Sequence, residues 1–270
     1  MEKHPIVAAV ERRDRNVVLL GLSAVIALAA LYTLNMTREL VPNTGFQQAI
    51  DTFTLLCNIA VTETFSANAF MALFAMWAIM QVAMMSPSAV PMTLAYTKLD
   101  RYHNPERSPY GTTAIFFFGY IVVWAIYSVI AALIQWQLNS WALLTPTGAS
   151  ASPFLGGAIL IGAGLFQFSQ LKQSCLNHCR APLPYLMANW TDGYAGAFKM
   201  GFQHGIFCVG CCWVLMALLF VAGVMNLIWM AIITAFVLIE KVAPRGDRFG
   251  KVAGVLFLVW GVGLLVTALV

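Results

Sequence analysis

The fold class is decided by an apolar segment in the first half of the chain, Thr112-Thr-Ala-Ile-Phe-Phe-Phe-Gly-Tyr-Ile-Val-Val-Trp-Ala-Ile-Tyr-Ser-Val-Ile-Ala-Ala-Leu-Ile134. A bilayer core of about 30 Å is crossed by roughly 20 such residues in a helix. The whole chain has the same character, because 60% of its residues are hydrophobic and only 10% are charged, whereas soluble domains carry about 25% charged residues. The sequence therefore predicts an all-α, polytopic transmembrane bundle.

Six more apolar segments bring the predicted number of transmembrane helices to about seven. They are Val17–Met36, Ala67–Met92, Phe154–Gln170, Met200–Val224, Leu227–Glu240 and Lys251–Val270. The first is as long as a full span and lacks a clear cleavage site, so we interpret it as a retained helix. Almost nothing separates the fifth span from the sixth, which predicts a tight helical hairpin. Residues 1–270 are expected to form one integral membrane domain.

Basic residues predict the orientation of this bundle, since short cytoplasmic loops retain Lys and Arg. All but Arg38 fall in the N-terminal segment 1–16 or in alternate connections between spans: Lys3, Arg12, Arg13, Arg15, Lys98, Arg101, Arg107, Lys172, Arg180, Lys199, Lys241, Arg245, Arg248 and Lys251. The N-terminus is therefore predicted to be cytoplasmic and the C-terminus outside. Segment 37–66 is then an external loop, in which Phe46–Thr62 could form an interfacial or re-entrant helix.

The fifth span carries the most unusual chemistry in the chain. At 3.6 residues per turn, Met200, His204, Cys208 and Cys211 fall within about 80° of one helix face, with Cys212 on its flank. A single buried cysteine usually acts as a small hydrophobe. Three cysteines in five residues, one turn from an intramembrane histidine, instead favour a ligand role, because ionisable residues inside spans are rare and usually functional.

Two other segments offer further ligands. Met80, Met84 and Met85 lie in the second span, where Met76, Met80 and Met84 share one helix face, and packing and ligation are equally good interpretations of this pattern. Pro87 and Pro91 follow and are expected to break that helix near the inner face of the membrane. After the fourth span, Cys175 and Cys179 are one turn apart with His178 between them, which suits a metal clip or a redox pair. The sixth cysteine, Cys57, is predicted outside and unpaired.

Ligand softness indicates the metal. Thiolates and thioethers with one or two imidazoles suit Cu(I) best and Zn²⁺ next, whereas Mg²⁺, Ca²⁺ and Mn²⁺ prefer oxygen. We therefore expect copper, with zinc as the alternative. The expected partners are the lipid bilayer, the metal ion and a metallochaperone or membrane protein. Nucleic acid is not expected, because the formal charge of +4 is spread over short connections.

Three motifs together resemble a bacterial family of predicted metal-binding integral membrane proteins, a family of unknown function. The motifs are Met76-Trp-Ala-Ile-Met-Gln-Val-Ala-Met-Met-Ser-Pro-Ser-Ala-Val-Pro-Met92, Leu171-Lys-Gln-Ser-Cys-Leu-Asn-His-Cys-Arg-Ala-Pro182 and Gly201-Phe-Gln-His-Gly-Ile-Phe-Cys-Val-Gly-Cys-Cys-Trp213. The resemblance continues through Gly223-Val-Met-Asn226 and Glu240-Lys241, so it covers the chain from about residue 65 onward. It implies a membrane fold and a metal site rather than a particular activity.

Three functions stay open at this point. The first is copper transport or delivery, with the methionines as weak relay sites and the Cys/His cluster as the tight site. The second is a thiol-disulfide oxidoreductase with Cys208 and Cys211 as its couple, Cys175 and Cys179 as a shuttle, and quinone as a possible acceptor. The third is a non-catalytic assembly subunit. No hydrolase triad, phosphate-binding loop or zinc-protease motif stands in a credible context, and a retinal protein would need a lysine deeper in a span than Lys251.

Overall fold

The computed structural model describes residues 67–145, 148–224, 226–243 and 245–269, together with isolated positions between 16 and 31. The predicted external loop 37–66 with Cys57, and almost all of the predicted cytoplasmic segment, lie outside the described residues. Within those ranges the regular secondary structure is helical, as the composition predicts. The helices are α1 (Ala67–His103), α2 (Tyr110–Ser140), α3 (Pro153–Gln167), α4 (Gln170–Arg180), α5 (Pro182–Ala188), α6 (Gly193–Ala217), α7 (Leu219–Ala222), α8 (Leu227–Val242) and α9 (Gly246–Leu269).

Four stretches of the described chain are long and apolar enough to cross a membrane. They are α1, α2, the consecutive helices α6 and α7, and α9. A fifth is reached if α3 and α4 count as one span, although these two helices are bent by 63° at their junction. The predicted sixth span corresponds to α8, which has 16 residues. The count of seven and the orientation of the termini stay predictions.

α1 differs from its prediction in length and continuity. It has 37 residues and runs unbroken through Pro87 and Pro91, so the expected break near Pro87 is wrong. Hydroxyl groups supply donors along this stretch, since Ser88 donates to the carbonyl of Met85 at 2.9 Å and Thr93 donates to that of Ala89 at 3.0 Å. Prolines are tolerated in membrane helices where such side chains and neighbouring helices satisfy the backbone.

A buried carboxylate closes the turn between α1 and α2. Asp100 accepts a hydrogen bond from the hydroxyl of Thr112 at 2.6 Å and pairs with Arg107 at 3.2 Å. The two helices therefore run antiparallel side by side. This pairing places the middle of α1 opposite the middle of α2, next to the helix that carries the cysteines.

The same turn is tied to the start of α6 through Asp192. Its carboxylate accepts hydrogen bonds from the indole of Trp190 at 2.9 Å and from the amide of Asn104 at 3.3 Å. These two donors hold the pKa of the Asp192 carboxyl below its usual range, because they stabilise the charged form. The link fixes one end of α6 relative to α1.

α2 and α6 cross at unusually close range. A Cβ atom on Gly201 would lie 1.9 Å from the carbonyl oxygen of Phe116, and one on Gly119 would lie 2.5 Å from that of Phe198. Small residues at membrane helix crossings allow this backbone approach. The crossing presses the cysteine-bearing face of α6 against the aromatic side chains of α2.

The remaining helices complete the bundle around α6. The side-chain hydroxyl of Ser169 accepts from the backbone of Lys172 at 3.2 Å and caps α4, which is where the chain bends after α3. Gly223 takes a positive φ of 102° in the short connection between α7 and α8. The indole of Trp229 then donates to the carbonyl of Leu218 at 2.7 Å. The connection between α7 and α8 is thus short, and the predicted hairpin of two membrane spans stays a prediction.

Candidate metal centre

The predicted ligand face of α6 points into the bundle. Its members share nearly complete burial, with no more than 2% of any side chain exposed: Met200, His204, Cys208, Cys211 and Cys212. The spacing of these residues matches the helical period, so one face of α6 can bury all of them at once. The burial of the whole set is consistent with both packing and ligation, and the contacts of the individual atoms are more informative.

Side chains that carry sulfur lie next to one another on α1, α6 and α4. The thiol of Cys212 lies 3.9 Å from the thioether sulfur of Met85 on α1. The side chain of Cys212 also interacts with that of Cys211, and Cys211 in turn interacts with Cys179 on α4. We call Met85, Cys212, Cys211 and Cys179 the sulfur row. It joins residues that are 127 positions apart in sequence.

Cys208 lies beside the row and has two polar neighbours from other helices. Its sulfur is 2.8 Å from Nζ of Lys241 on α8 and 3.3 Å from the hydroxyl of Tyr120 on α2. The Tyr120 hydroxyl also donates to the carbonyl of Met85 at 3.0 Å. Tyr120 therefore links Cys208 to the part of α1 that supplies the thioether.

α4 brings its two cysteines to α6 through a glycine. A Cβ atom on Gly210 would lie only 2.7 Å from the sulfur of Cys175, so the thiol packs where α6 has no side chain. Cys175 and Cys179 are one turn apart and both are buried, because the same face of α4 meets α6. The structure thus brings both members of the predicted clip to the fifth-span cysteines.

His178 is directed elsewhere. Its ring stacks on Phe207 with the ring centres 4.2 Å apart, meets Tyr185 edge on, and its Nδ1 is hydrogen-bonded to the carbonyl of Ser174 at 2.8 Å. These contacts do not bring His178 to a cysteine. Only its position between Cys175 and Cys179 in sequence made it a candidate.

His204 stands apart from the row but has a free nitrogen. Its ring lies near those of Tyr120, at 5.4 Å between centres, and Phe116, at 6.2 Å. Its Nε2 atom is buried and has no hydrogen-bond partner in the described structure. An unpaired buried nitrogen is costly, so this orphaned nitrogen is consistent with the ligand role predicted for His204.

The methionines of α1 share the core with the cysteines. Met80, Met84 and Met85 are all buried in the hydrophobic cluster that contains the five cysteines of the described chain. The thioether sulfur of Met85 lies 3.9 Å from the thiol of Cys212. The expectation that Met80 or Met84 comes within about 5 Å of the α6 ligands stays a prediction.

Sequence reasoning missed the buried charges around this centre. Lys172 and Lys241 had been counted among the loop residues that orient the chain, yet both lie inside helices and are buried. Lys172 pairs with Glu240 at 2.8 Å and also donates to the side-chain carbonyl of Gln167. The adjacent Glu240 and Lys241 at the end of an apolar run were the available signal, because charges that lie within a bundle usually pair with one another.

The donor set suits a soft ion at low coordination number. All five cysteines of the described chain are free thiols. Two sulfur ligands at about 2.3 Å from one ion would be separated by roughly 3.8–4.0 Å in trigonal or tetrahedral geometry, and the Cys212 and Met85 sulfurs are 3.9 Å apart. No three histidine, cysteine, aspartate or glutamate side chains of the described ranges are arranged to hold one ion. The described residues thus bring thiol and thioether sulfurs together in pairs, and sulfur donors of this kind are ligands that soft ions such as Cu(I) accept.

Comparison with known proteins agrees with this chemistry. Neither a curated protein nor a solved structure matches the chain. The family model described as copper chaperone, PpoB2, matches residues 74–264, which include every described cysteine and all of the buried charges around them. That match spans well over half of the 270 residues, and the chain therefore belongs to the PpoB2 copper chaperone family.

Proposed function

We propose that this protein is an integral membrane copper carrier that holds Cu(I) on the sulfur row and passes it across the bilayer or to a partner protein. The observation that carries the proposal is the sulfur row itself, in which each of four side chains from three helices interacts with the next one inside the bundle. Copper is the cargo. The family match supports copper, and the chemistry of the donors supports its reduced form.

Movement of the ion along the row is explained by exchange of ligands. A thioether is a neutral and weak ligand, whereas a thiolate is charged and strong. An ion held by Cys212 and Met85 can add the Cys211 sulfur before it leaves Met85, and it can then reach Cys179 in the same way. Each transfer keeps the ion bound to sulfur in the apolar interior. A path of several weak sites permits entry and release.

His204 would supply a nitrogen ligand near Cys208. The two residues are one helical turn apart on the buried face of α6, and Nε2 of His204 has no other partner. In this proposal His204 and Cys208 form the tighter end of the site, as the sequence pattern suggests. Cys175 stands one turn from Cys179 on α4 and would provide a second exit ligand.

Membrane insertion is supported by the helices on the outside of the bundle. Only 11% of the most apolar window of α9 is buried inside the protein, and its outward side chains include Val255, Leu256 and Val259. An apolar face of this kind fits lipid. We propose that the orientation follows the basic residues, with the N-terminus cytoplasmic, and that the receiving partner is a metallochaperone or another membrane protein.

The test is direct measurement of Cu(I) binding by the purified protein. The full chain in detergent is titrated with Cu(I) in competition with a chromophoric Cu(I) chelator, without oxygen, and X-ray absorption identifies sulfur and nitrogen neighbours of the bound copper. We expect Cu(I) with mainly sulfur ligands. Replacing both Cys211 and Cys212 by Ala should weaken binding by more than about 100-fold.

Matched variants separate ligation from general damage. Met85→Leu should weaken binding, whereas Met71→Leu should not, because Met71 lies on the same helix but is exposed. Cys57→Ala should also leave binding unchanged. Failure of the wild-type protein to retain Cu(I) contradicts the proposal. A Cys208–Cys211 disulfide that cycles with quinone would instead support the oxidoreductase, and tight binding of Zn²⁺ alone would support the zinc alternative.

A further inference from the structure

The ammonium group of Lys241 lies next to Cys208, one of the proposed copper ligands. Its Nζ donates to the sulfur of Cys208 at 2.8 Å and to the hydroxyl of Ser88 at 3.0 Å. Its side chain is 7% exposed, so water does little to screen its charge. A buried ammonium is expensive unless a negative group balances it.

The neighbouring carboxylate is already engaged. Glu240 accepts two hydrogen bonds from Lys172, each at 2.8 Å, and that pair is neutral as a unit. The hydrogen-bond partners of Lys241 are a hydroxyl and a sulfur, neither of which is a carboxylate. The negative charge that balances Lys241 must therefore come from cysteine thiolates, and Cys208 is the cysteine that Lys241 contacts.

We propose that Lys241 is a specificity-determining residue that selects a monovalent soft ion over divalent ions at this centre. The inference rests on the proposed Cu(I) function. Cu(I) held by the thiolate of Cys208 and by a second thiolate, that of Cys211 on the same face of α6, carries one negative charge, which the ammonium of Lys241 neutralises. Two thiolates with Zn²⁺ are neutral, and the ammonium is then left buried without a counter-charge. In addition, repulsion between the ammonium and the ion grows with the charge of the ion.

A third thiolate would restore the balance for zinc, but the described structure does not offer one at the same point. No three of its cysteine, histidine or acidic side chains are arranged on one ion. The fixed positive charge of Lys241 and the pairwise arrangement of the sulfurs thus act in the same direction. The positive charge and the pairwise arrangement therefore disfavour Zn²⁺ because of its charge, whereas the type of ligand is the same for both ions.

The test compares Cu(I) and Zn²⁺ affinities of the full-length protein at one pH and ionic strength. Each ion is titrated in competition with a chromophoric chelator for that ion, using the wild type and two neutral variants. Lys241→Met keeps the length of the side chain, and Lys241→Gln keeps a donor for Ser88. In both variants we expect the ratio of Zn²⁺ affinity to Cu(I) affinity to rise by at least about tenfold.

Two charge controls accompany these variants. Lys199→Met removes an exposed lysine from α6 and should leave the ratio unchanged, and Lys241→Arg keeps the charge and should preserve the preference for Cu(I). The role of Lys241 is overturned if the ratio of Zn²⁺ affinity to Cu(I) affinity is unchanged in both neutral variants while the wild type binds Cu(I). The proposed function is then left intact. A change in Lys241→Met alone assigns the effect to packing and also overturns the role of Lys241. Absence of Cu(I) binding by the wild type overturns both.

Discussion

Tyr120 connects the cysteine centre to the backbone of a neighbouring helix through a single hydroxyl group. That hydroxyl contacts the Cys208 sulfur at 3.3 Å and the Met85 carbonyl at 3.0 Å. Ser88 also donates to the same carbonyl, so the carbonyl keeps a side-chain partner if Tyr120 is changed. The hydroxyl therefore positions Cys208 more than it supports α1.

Tyr120→Phe is expected to affect metal binding more than folding. Loss of the hydroxyl should lower the free energy of unfolding by about 1 kcal/mol and should weaken Cu(I) binding by about 10-fold or more. Denaturant titration in detergent measures the first effect and chelator competition the second. Tyr102→Phe is the matched control, because Tyr102 is 81% exposed on α1. Equal Cu(I) affinities in both variants would remove Tyr120 from the centre.

His204 allows packing and ligation to be separated in one substitution. His204→Phe keeps a ring near Phe116 and Tyr120 and removes a buried nitrogen that has no partner. We expect the free energy of unfolding to stay within about 0.5 kcal/mol of the wild type or to rise, while Cu(I) affinity falls. Thermal unfolding and Cu(I) titration provide the two readouts. A large loss of stability with unchanged Cu(I) affinity would mean that His204 only packs.

The burial of individual residues was predictable from the sequence where it follows the helical period. The buried face of Met200, His204, Cys208 and Cys211 follows directly from their spacing along α6. Lys241 was not predictable in the same way, because a lysine at the end of an apolar run is equally typical of a loop that anchors the helix. Its role depends on a contact with Cys208 that is 33 residues distant in sequence.

The α2–α6 crossing is the element on which the centre depends most. The motif Gly201-x-x-x-Gly205 faces α2, where a Cβ atom on Gly205 would lie 2.8 Å from Val123. This glycine spacing is a common signal for close membrane helix pairs, and it was present in the sequence. Its partner helix could not be identified from spacing alone, since several helices could have supplied the opposing surface.

Gly201→Ala should therefore be severely destabilising. The added methyl group would meet the carbonyl of Phe116, and backbone atoms cannot move aside as a flexible side chain can. We expect a loss of more than about 2 kcal/mol in the free energy of unfolding, or failure to accumulate folded protein. Gly263→Ala is the control, because no atom lies within 4 Å of its Cβ position. Similar stability of the two variants would contradict the close crossing.

Helix α1 shows why local rules mispredicted one element. Pro87 and Pro91 each remove a backbone donor, which favours a break when the chain is considered alone. In the bundle, Ser88, Thr93 and Tyr120 donate to carbonyls of the same region. Hydroxyl donors within α1 and the hydroxyl of Tyr120 on α2 thus accompany a helix that the prolines alone would interrupt, and this continuity keeps Met85 opposite Cys212.

At the scale of the whole molecule, the apolar composition was sufficient to predict a helical bundle but not the number of crossings. The helices α3 and α8 have 15 and 16 residues, so each is short for an independent span. Their apolar character is nevertheless that of the predicted fourth and sixth spans. Whether α3 or α8 crosses a bilayer depends on how neighbouring helices cover its ends. The length of the apolar segment alone does not predict this.

The orientation is tested by reporter fusions in the intact membrane. Basic residues predict that fusions at Asn104, Asn189 and Asp247 report the cytoplasm and that a fusion at the C-terminus reports the opposite side. An enzyme reporter active only outside, paired with a fluorescent reporter that folds only inside, gives complementary signals. A cytoplasmic C-terminus, or an external signal from any of the three internal sites, would require an even number of crossings or a different pairing of helices.

The pair formed by Lys172 and Glu240 also constrains the order of events during synthesis. Lys172 leaves the ribosome 68 residues before its partner carboxylate. At roughly 5–20 residues per second, this ammonium waits about 3–14 s for Glu240. Until then α4 carries an unbalanced charge that opposes entry into lipid. We therefore expect α4 to dock only once α8 has been made, so that the sulfur row is completed near the end of translation and immature chains lack the proposed copper path.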